Sequence, residues 1–578
     1  MARGWHSPSI DESCASALAQ ALGVRPLTAR LLVRRGVLQA DHGHRFLQPK
    51  LAELRAPAGI ADLQSGIDRM AHALETGQLI GVFGDYDVDG VTSAAVLTSA
   101  LRALGARVLP RCASRHAGYG FGLAAAEAFL AAGCAFVITA DCGTSDHKSI
   151  AFLKEKGIDV MVIDHHQVPE GKSAAVALIN PHRGDDRFEF KGLASCGLAF
   201  YLMAALRSHL RSKNHAAAAA WDPRELLDLV AMGTIADVMP LTDENRVLVS
   251  AGLKTLSART RPGVAALFNV AGLQDPRPVT ATDIGFRLAP RLNAAGRLGD
   301  AQLALDLLLA VDPAEAERLA LLLDEQNRQR QQIQETVLSS ALAQVESMIA
   351  AGGGRVPWAI VVGDEGWHHG VVGIVAAKLV DKYARPTIVV GFHEGKGRGS
   401  ARTVAGFNLY QALAASAPHL EVYGGHAAAA GMTVLRDRFE AFRQSFTAHA
   451  EQWFGLRPPH SAVEVDAVVS LSELDLACAE ELARLGPFGA ANSEPILAFE
   501  NVTIANARVV SGTHLQLTLG QNGAMAEAMG FNMADVAPVA GQVMDVVACF
   551  EINDFRGTRR PRLRVKHLLS AAPVGEPS

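Results

Sequence analysis

Residues 79–90 read LIGVFGDYDVDG: a short apolar run, Leu79–Phe83, followed by a loop that carries Asp85, Asp87 and Asp89. The same arrangement recurs twice. Residues 135–143 read AFVITADCG, an apolar run ending at Asp141, and residues 160–166 read VMVIDHH, ending at Asp164, His165 and His166. Helical patterns lie between: Val91–Leu104 before Gly105, Ala124–Ala132 before Gly133, and His147–Lys156 before Gly157, with Val108–Leu109 opening a further short strand. Apolar runs of this length bounded by turn signals are buried strands. Their alternation with helices predicts βαβ units and a parallel sheet. Open parallel sheets bind ligands at the carboxyl ends of their strands. Three segments far apart in sequence therefore bring five aspartates and two histidines to one crest.

Such a concentration of carboxylates stays ionised only if a cation neutralises it. Oxygen and imidazole ligands suit Mn²⁺ or Mg²⁺. Adjacent histidines do not easily serve one ion, so one ligates and the other faces a substrate. Each piece alone has a plainer reading: DxDxDG as a calcium loop or solvated turn, a His-His pair as ordinary surface or core. The joint placement after successive strands favours a metal site. Asp237 joins it from Gly233-Thr-Ile-Ala-Asp237-Val-Met-Pro240, which follows the apolar helix Leu226–Met232. A carboxylate in that setting is either a metal ligand or a helix-end cap.

Outward from this region, residues 1–75 are helix-rich, with Arg30, Arg34 and Arg35 close together. The first α/β domain is expected over 76–310. Pro313–Ala351, closed by Gly352-Gly353-Gly354, reads as one long helix within a connector over 311–352. A second α/β pattern fills 353–457. Residues 458–570 turn to β-rich alternation, at Val502–Ile504, Leu515–Leu519, Val543–Ile552 and Leu563–Leu569, expected to form a small barrel; 571–578 is a tail. Three to five domains suit a chain of 578 residues.

Composition excludes several classes. With 49% hydrophobic and 20% charged residues the chain is not disordered as a whole. No apolar run reaches about 18 residues, so no membrane span is expected, and the first residues, MARGWHSPSIDESCAS, contain no apolar core of a signal peptide. Seven scattered cysteines without a CxxC argue against disulfides and structural zinc and for a reduced, cytoplasmic protein. A net charge of −5 disfavours a simple basic nucleic-acid binder but not a nuclease.

Two further stretches bear on phosphate. Gly399-Ser400-Ala401-Arg402-Thr403 is a glycine-rich loop with hydroxyls and a guanidinium, suited to phosphate or to a solvated turn. Arg560, Arg562, Arg564 and Lys566 alternate with Pro561, Leu563 and Val565, so a strand would present four cations on one face, for a nucleic-acid backbone or as a guarded edge.

Asp85-Tyr-Asp-Val-Asp-Gly90, Asp164-His-His166 and Gly233-Thr-Ile-Ala-Asp237 resemble the motifs of the DHH phosphoesterase superfamily. Gly424-Gly425-His426 with Ala430-Gly-Met432 resembles its DHHA1 domain. Pro290-Arg-Leu-Asn-Ala-Ala-Gly-Arg297, Trp367-His368-His-Gly-Val-Val-Gly373 and Asp554-Phe-Arg-Gly557 extend the likeness over about residues 45–570, toward bacterial single-strand-specific 5′→3′ DNA exonucleases. The resemblance implies a DHH domain, a DHHA1 domain and an oligonucleotide-binding (OB-like) barrel, and hydrolysis of single-stranded DNA to 5′-mononucleotides in repair and recombination. It implies two Mn²⁺ or Mg²⁺ ions, with Asp87 on one, Asp89, His165 and Asp237 on the other, Asp141 bridging, and Asp85 beside the first. Asp164 would orient the histidines, and His166 would face the scissile phosphate. Ser400 and Arg402 would receive the 5′-phosphate. Gly424, Gly425, His426 and His368 would line the cleft, Arg297 would grip the backbone, and Arg560, Arg562 and Arg564 would hold incoming strand. The chain departs from the family at Cys142, where asparagine is usual, and at Ser114, where an arginine is usual; Arg111 or Arg115 could replace it. The implied partners are DNA with a 5′ end, single-strand-binding protein and a RecQ-type helicase, with the enzyme a monomer. The alternatives are a phosphodiesterase for short oligonucleotides and a non-catalytic replication scaffold.

Overall fold

The computed structural model describes residues 5–114, 118, 120–274, 277–456, 463–555 and 558–570. Arg115, part of the Asp554–Gly557 motif and the tail from 571 lie outside them.

The first sheet is wholly parallel, in the spatial order Arg107–Cys112, Leu79–Gly84, Phe136–Ala140, Asp159–Ile163, Ala177–Ile179. Its period-2 alternation divides the strand residues between two cores. Ile80, Val82, Phe136, Ile138, Met161 and Ile163 pack under helices Leu63–Glu75, Val88–Ala103, Ser195–Ser212 and Leu227–Ala236. Phe83, Val137, Val160 and Val162 pack under Leu123–Ala131 and His147–Glu155. Chain order reverses about strand Leu79–Gly84, the place where such sheets open a crevice. Asp85, Asp141 and Asp164 each directly follow a strand of this sheet, at its carboxyl edge.

The long helix is Pro313–Ala351, as the sequence predicts. Asp312 caps it by accepting from Ala314 N and Glu315 N, and proline takes its first turn. Its first half (Ala316, Leu319, Leu323) belongs to the first domain's core and its second half (Val337, Ala341, Val345) to that of the next. It therefore spans two cores as one rod of about 58 Å. The second sheet is mixed, in the order Val422–Gly425, Ala429–Leu435, Lys396–Arg402, Thr387–His393, Ile360–Glu365, with only the last pair parallel.

Five strands close the C-terminal barrel: Leu497–Val510, His514–Gln521, Ala524–Gly530, Thr558–Ser570 and Val543–Phe555, which pairs back onto the first. Three of them run 13–14 residues, longer than the sequence reading, because each bends past a bulge. Ala524–Gly530 (AMAEAMG) escapes the sequence reading, having no β-branched residue.

The N-terminal helices are part of the barrel's core. Leu18, Leu27, Leu31, Leu32 and Phe46 share one buried cluster with Leu497, Phe499, Leu517, Val546 and Leu563. The early arginines are spent here: Arg30 on Glu12, Arg34 on Glu464 and Asp466, Arg35 on Asn492 and Ser493 O. Arg246 ties in the first domain. Buried over Phe46, it donates to the carbonyls of Phe46, Arg484, Leu485 and Gly486.

Candidate metal centre and phosphate cleft

Asp87 caps helix Val88–Ala103, accepting from Gly90 N at 3.1 Å. Gly90 is obligatory: a Cβ there would lie 2.5 Å from Asp85 N. The tight turn presents Asp85, Asp87 and Asp89 together. Asp141 follows its strand at φ +65°, a left-handed conformation costly for a non-glycine residue and the kind of strain found at functional sites. Asp164 accepts from His165 N (2.8 Å), His166 N (3.1 Å), Thr144 N (3.2 Å) and His166 Nδ1 (2.7 Å). It thereby sets the shape of the histidine pair. His165 Nε2 lies 3.3 Å from Asp141, 3.4 Å from Asp237 and 3.9 Å from Asp89.

Three overlapping groups have ligand atoms all within 4.8 Å of one another: Asp85, Asp87 and Asp141; Asp89, His165 and Asp237; and Asp141, His165 and His166. Protein donors alone leave this set out of balance. Burial, then the charges of Asp89, Asp87, Asp237 and Asp164, push the Asp141 carboxyl well above the usual range. Burial, then Asp89 and Asp87, push Asp237 up to about 8. Burial lowers His165. Burial opposes protonation of His166 too, but the hydrogen bond and charge of Asp164 prevail and raise it to about 9. Oxygen donors in excess, one shared carboxylate and one imidazole fit two divalent cations. Asp237 is also the residue closing helix Leu227–Ala236, and with Asp89 and His165 it forms a group that could hold a metal ion.

Several contributors escape sequence reasoning. Ser195 and Cys196 donate their N–H groups to Asp89, and the Ser195 hydroxyl donates to Asp141. Asn180 Nδ2 braces Thr144 Oγ1 and His166 O. The small residues Ala194-Ser195-Cys196-Gly197 before an apolar helix are the one signal that could have pointed there. Cys142, in the usual asparagine position, is buried; its thiol makes a long contact with Ala140 O at 3.7 Å, and its carbonyl accepts from Thr139 Oγ1 at 3.0 Å.

A relay of close contacts brings the second domain to this crest. A Cβ on Gly296 would lie 2.1 Å from Tyr86 O, so only glycine lets helix Ala289–Leu298 approach the aspartate loop. The next residue, Arg297, donates to Gly370 O at 2.9 Å, at the start of helix His369–Tyr383. Arg297 thus clasps the second domain while also lining the cavity at this crest. Gly373, a turn further on, abuts Ser400 Oγ and Arg402. The Gly399–Thr403 stretch is not a loop. Ser400 and Arg402 lie on strand Lys396–Arg402, paired on both sides. Arg402 donates to Ser400 Oγ (3.0 Å) and Ala401 O (2.7 Å), and among the described residues no carboxylate pairs with it. Gly424 stands opposite Gly431, which stands opposite Ser400. Gly425 and His426 follow at the exposed hairpin. His368 caps helix His369–Tyr383 through Nδ1 to Gly370 N. A cavity of about 900 Å³ opens beside Asp237, lined by Val238, Phe286, Arg297, Arg330, Lys378 and Phe488.

The cationic strand at 558–570 alternates as read, but its face is not four open cations. Arg562 and Arg564 pair with Glu551, and Arg564 also with Glu494. Arg560 and Lys566 remain exposed.

A parallel sheet crested by aspartates and histidines, facing a second α/β domain with a glycine-rich strand, defines a DHH–DHHA1 phosphoesterase. Family models agree: the DHH family N-terminal domain matches residues 79–234, the DHHA1 domain 342–454 and the RecJ OB domain 465–567. The single-stranded-DNA-specific exonuclease RecJ of Dickeya dadantii is 36% identical over 558 residues, 94% of this chain and 96% of that protein. The crystal structure of Thermus thermophilus RecJ with Mn²⁺ matches at a TM-score of 0.82 and 30% identity, over 98% of this chain and 80% of that one. Its Mg²⁺ complex matches at 0.76 and 28%, over 98% and 78%. The chain belongs to the RecJ family. Among the described residues no helix is long and apolar enough to cross a membrane.

Proposed function

We propose that this chain degrades single-stranded DNA from its 5′ end to 5′-mononucleotides, in repair and recombination. The observation that carries the reading is the interlocked ligand set around Asp141. Asp87, with Asp85 beside it, would hold one cation; Asp89, His165 and Asp237 would hold the other, with Asp141 within reach of both groups. The relatives crystallised with Mn²⁺ and Mg²⁺ support the choice of ion. When bound, such a pair activates the attacking water and neutralises charge on the phosphate and the leaving 3′-oxygen.

The protein's own residues do the rest. Asp164 holds the Nδ1 proton of His166, whose side chain is 41% exposed against 12% for His165, so His166 meets the substrate phosphate. Ser400 and Arg402 take the terminal 5′-phosphate, with Gly424, Gly425, His426 and His368 along the cleft; this fixes which linkage lies over the crest and hence the polarity. Arg560 and Lys566 are the barrel's open cations for strand yet to enter. A monomeric, cytoplasmic enzyme working with single-strand-binding protein and a RecQ-type helicase completes the reading, supported by family resemblance and by seven free cysteines.

The test compares a long 5′-phosphorylated single strand, a blunt duplex and a dinucleotide, each with Mn²⁺ and with EDTA. Mn²⁺-dependent release of mononucleotides from the long strand alone is expected. Equal cleavage of the duplex, or cleavage of the dinucleotide alone, would overturn it.

A further inference from the structure

Ser195 touches two carboxylates at once. Its N–H donates to Asp89 Oδ2 at 2.7 Å and its hydroxyl to Asp141 Oδ1 at 3.0 Å, both in buried surroundings; Cys196 N–H holds the other oxygen of Asp89 at 3.0 Å. Ser195 opens the 18-residue helix Ser195–Ser212, whose Leu198, Leu202 and Leu206 are sealed in the first domain's core. These donors therefore ride on a rigid element. Asp89 and Asp141 stand on different loops and repel each other, and Asp141 sits in a strained backbone conformation. Left to themselves, the two would splay apart.

We propose that Ser195 is a positioning residue for the metal centre: it sets the gap between Asp141, the carboxylate shared by both cations, and Asp89, which serves one. The inference rests on the metal reading above. A hydroxyl suits the task because it is neutral: it fixes one oxygen of Asp141 without displacing the cation, as a lysine or arginine would. The helix N-terminus adds a partial positive charge that favours Asp89 as the anion.

Ser195→Ala removes the hydroxyl and keeps the N–H; Ser195→Thr keeps both. Mn²⁺ affinity of the full chain is measured by titration calorimetry, and melting temperature is measured in EDTA and in Mn²⁺. Ser195→Ala is expected to lose about ten- to a hundredfold in Mn²⁺ affinity, with a smaller Mn²⁺-induced rise in melting temperature and an unchanged melt in EDTA. Ser195→Thr is expected to bind within about threefold of wild type. An alanine variant that binds Mn²⁺ like wild type overturns the proposal. So does one that melts lower in EDTA but keeps the full Mn²⁺-induced rise, since its role is then structural. A wild-type chain that binds no Mn²⁺ overturns the metal centre itself, a separate outcome.

Discussion

On the barrel strand Thr558–Ser570, Arg562 and Arg564 reach Glu551 and Glu494. At the crest of the first sheet, Asp85, Asp87, Asp89, Asp141 and Asp237 reach mainly one another, with His165 in their midst. Both are rows of like charge in the sequence. In the barrel, Arg562 and Arg564 each meet an anion, Glu551 on the paired strand and Glu494 before the next, so half of the row is balanced as folded. At the crest like charge lies against like charge, and burial with the neighbouring aspartates drives two carboxyls far toward protonation. Charge density alone does not mark a site. Charge that the fold leaves unbalanced does, because folding then retains a cost that only a ligand relieves.

The largest effect should come from relieving that imbalance without a ligand. Asp141→Asn keeps the shape and tolerates positive φ, yet removes the shared charge. Turnover in saturating Mn²⁺ is expected to fall below about a tenth and Mn²⁺ binding to vanish, while the metal-free protein melts a few degrees higher. Retained activity, or a lower metal-free melt, breaks the comparison.

Next is the barrel as a whole. Removing residues from about 460 strips the barrel from the core it shares with the N-terminal helices and bares Leu27, Leu31, Leu32 and Phe46. The truncated chain should bind a hydrophobic dye and aggregate, whereas one also lacking residues 1–50 should stay dispersed. Equal behaviour of the two, by light scattering, would mean the N-terminal helices stand alone.

Arg402→Ala probes a cation that, unlike Arg564, has no carboxylate partner among the described residues. Charge-assisted hydrogen bonds contribute about 1.5–3 kcal/mol, so the preference for a 5′-phosphate over a 5′-hydroxyl should drop by about ten- to a hundredfold. An unchanged ratio places the phosphate elsewhere. The smallest effect separates Arg560 from Arg564. Arg560→Ala should flatten the log–log salt dependence of single-strand binding by about 0.7. Arg564→Ala should lower the melting temperature and leave that slope alone; the reverse pattern would exchange their roles.

The crest was legible because local signals converge there: buried-strand runs, a glycine turn and acidic strand ends read the same way at every scale. The long helix was legible from first residue to last because a proline start, an unbroken interior and three glycines leave no alternative. What escaped depends on tertiary approach. Ser195 is an unexceptional serine until its helix docks on Asp89 and Asp141. The hold of Arg297 on Gly370 O has no mark in the sequence, since it needs the second domain's approach. Arg562 and Arg564 read as open cations because Glu551 lies on the preceding strand and Glu494 further off. Gly399 suggests a loop, yet it serves a packed strand, where a side chain would collide with Met432.

The joining of Trp5 to Asp545, 3.2 Å apart across nearly the whole chain, also governs the protein's birth. The apolar side of the first helices emerges from the ribosome roughly 500 residues before the strands that cover it. At about 5–20 residues per second, that interval is roughly 25–100 s. For that time the newborn chain carries the same bare surface that the truncation uncovers, the kind of apolar surface on which chaperones act.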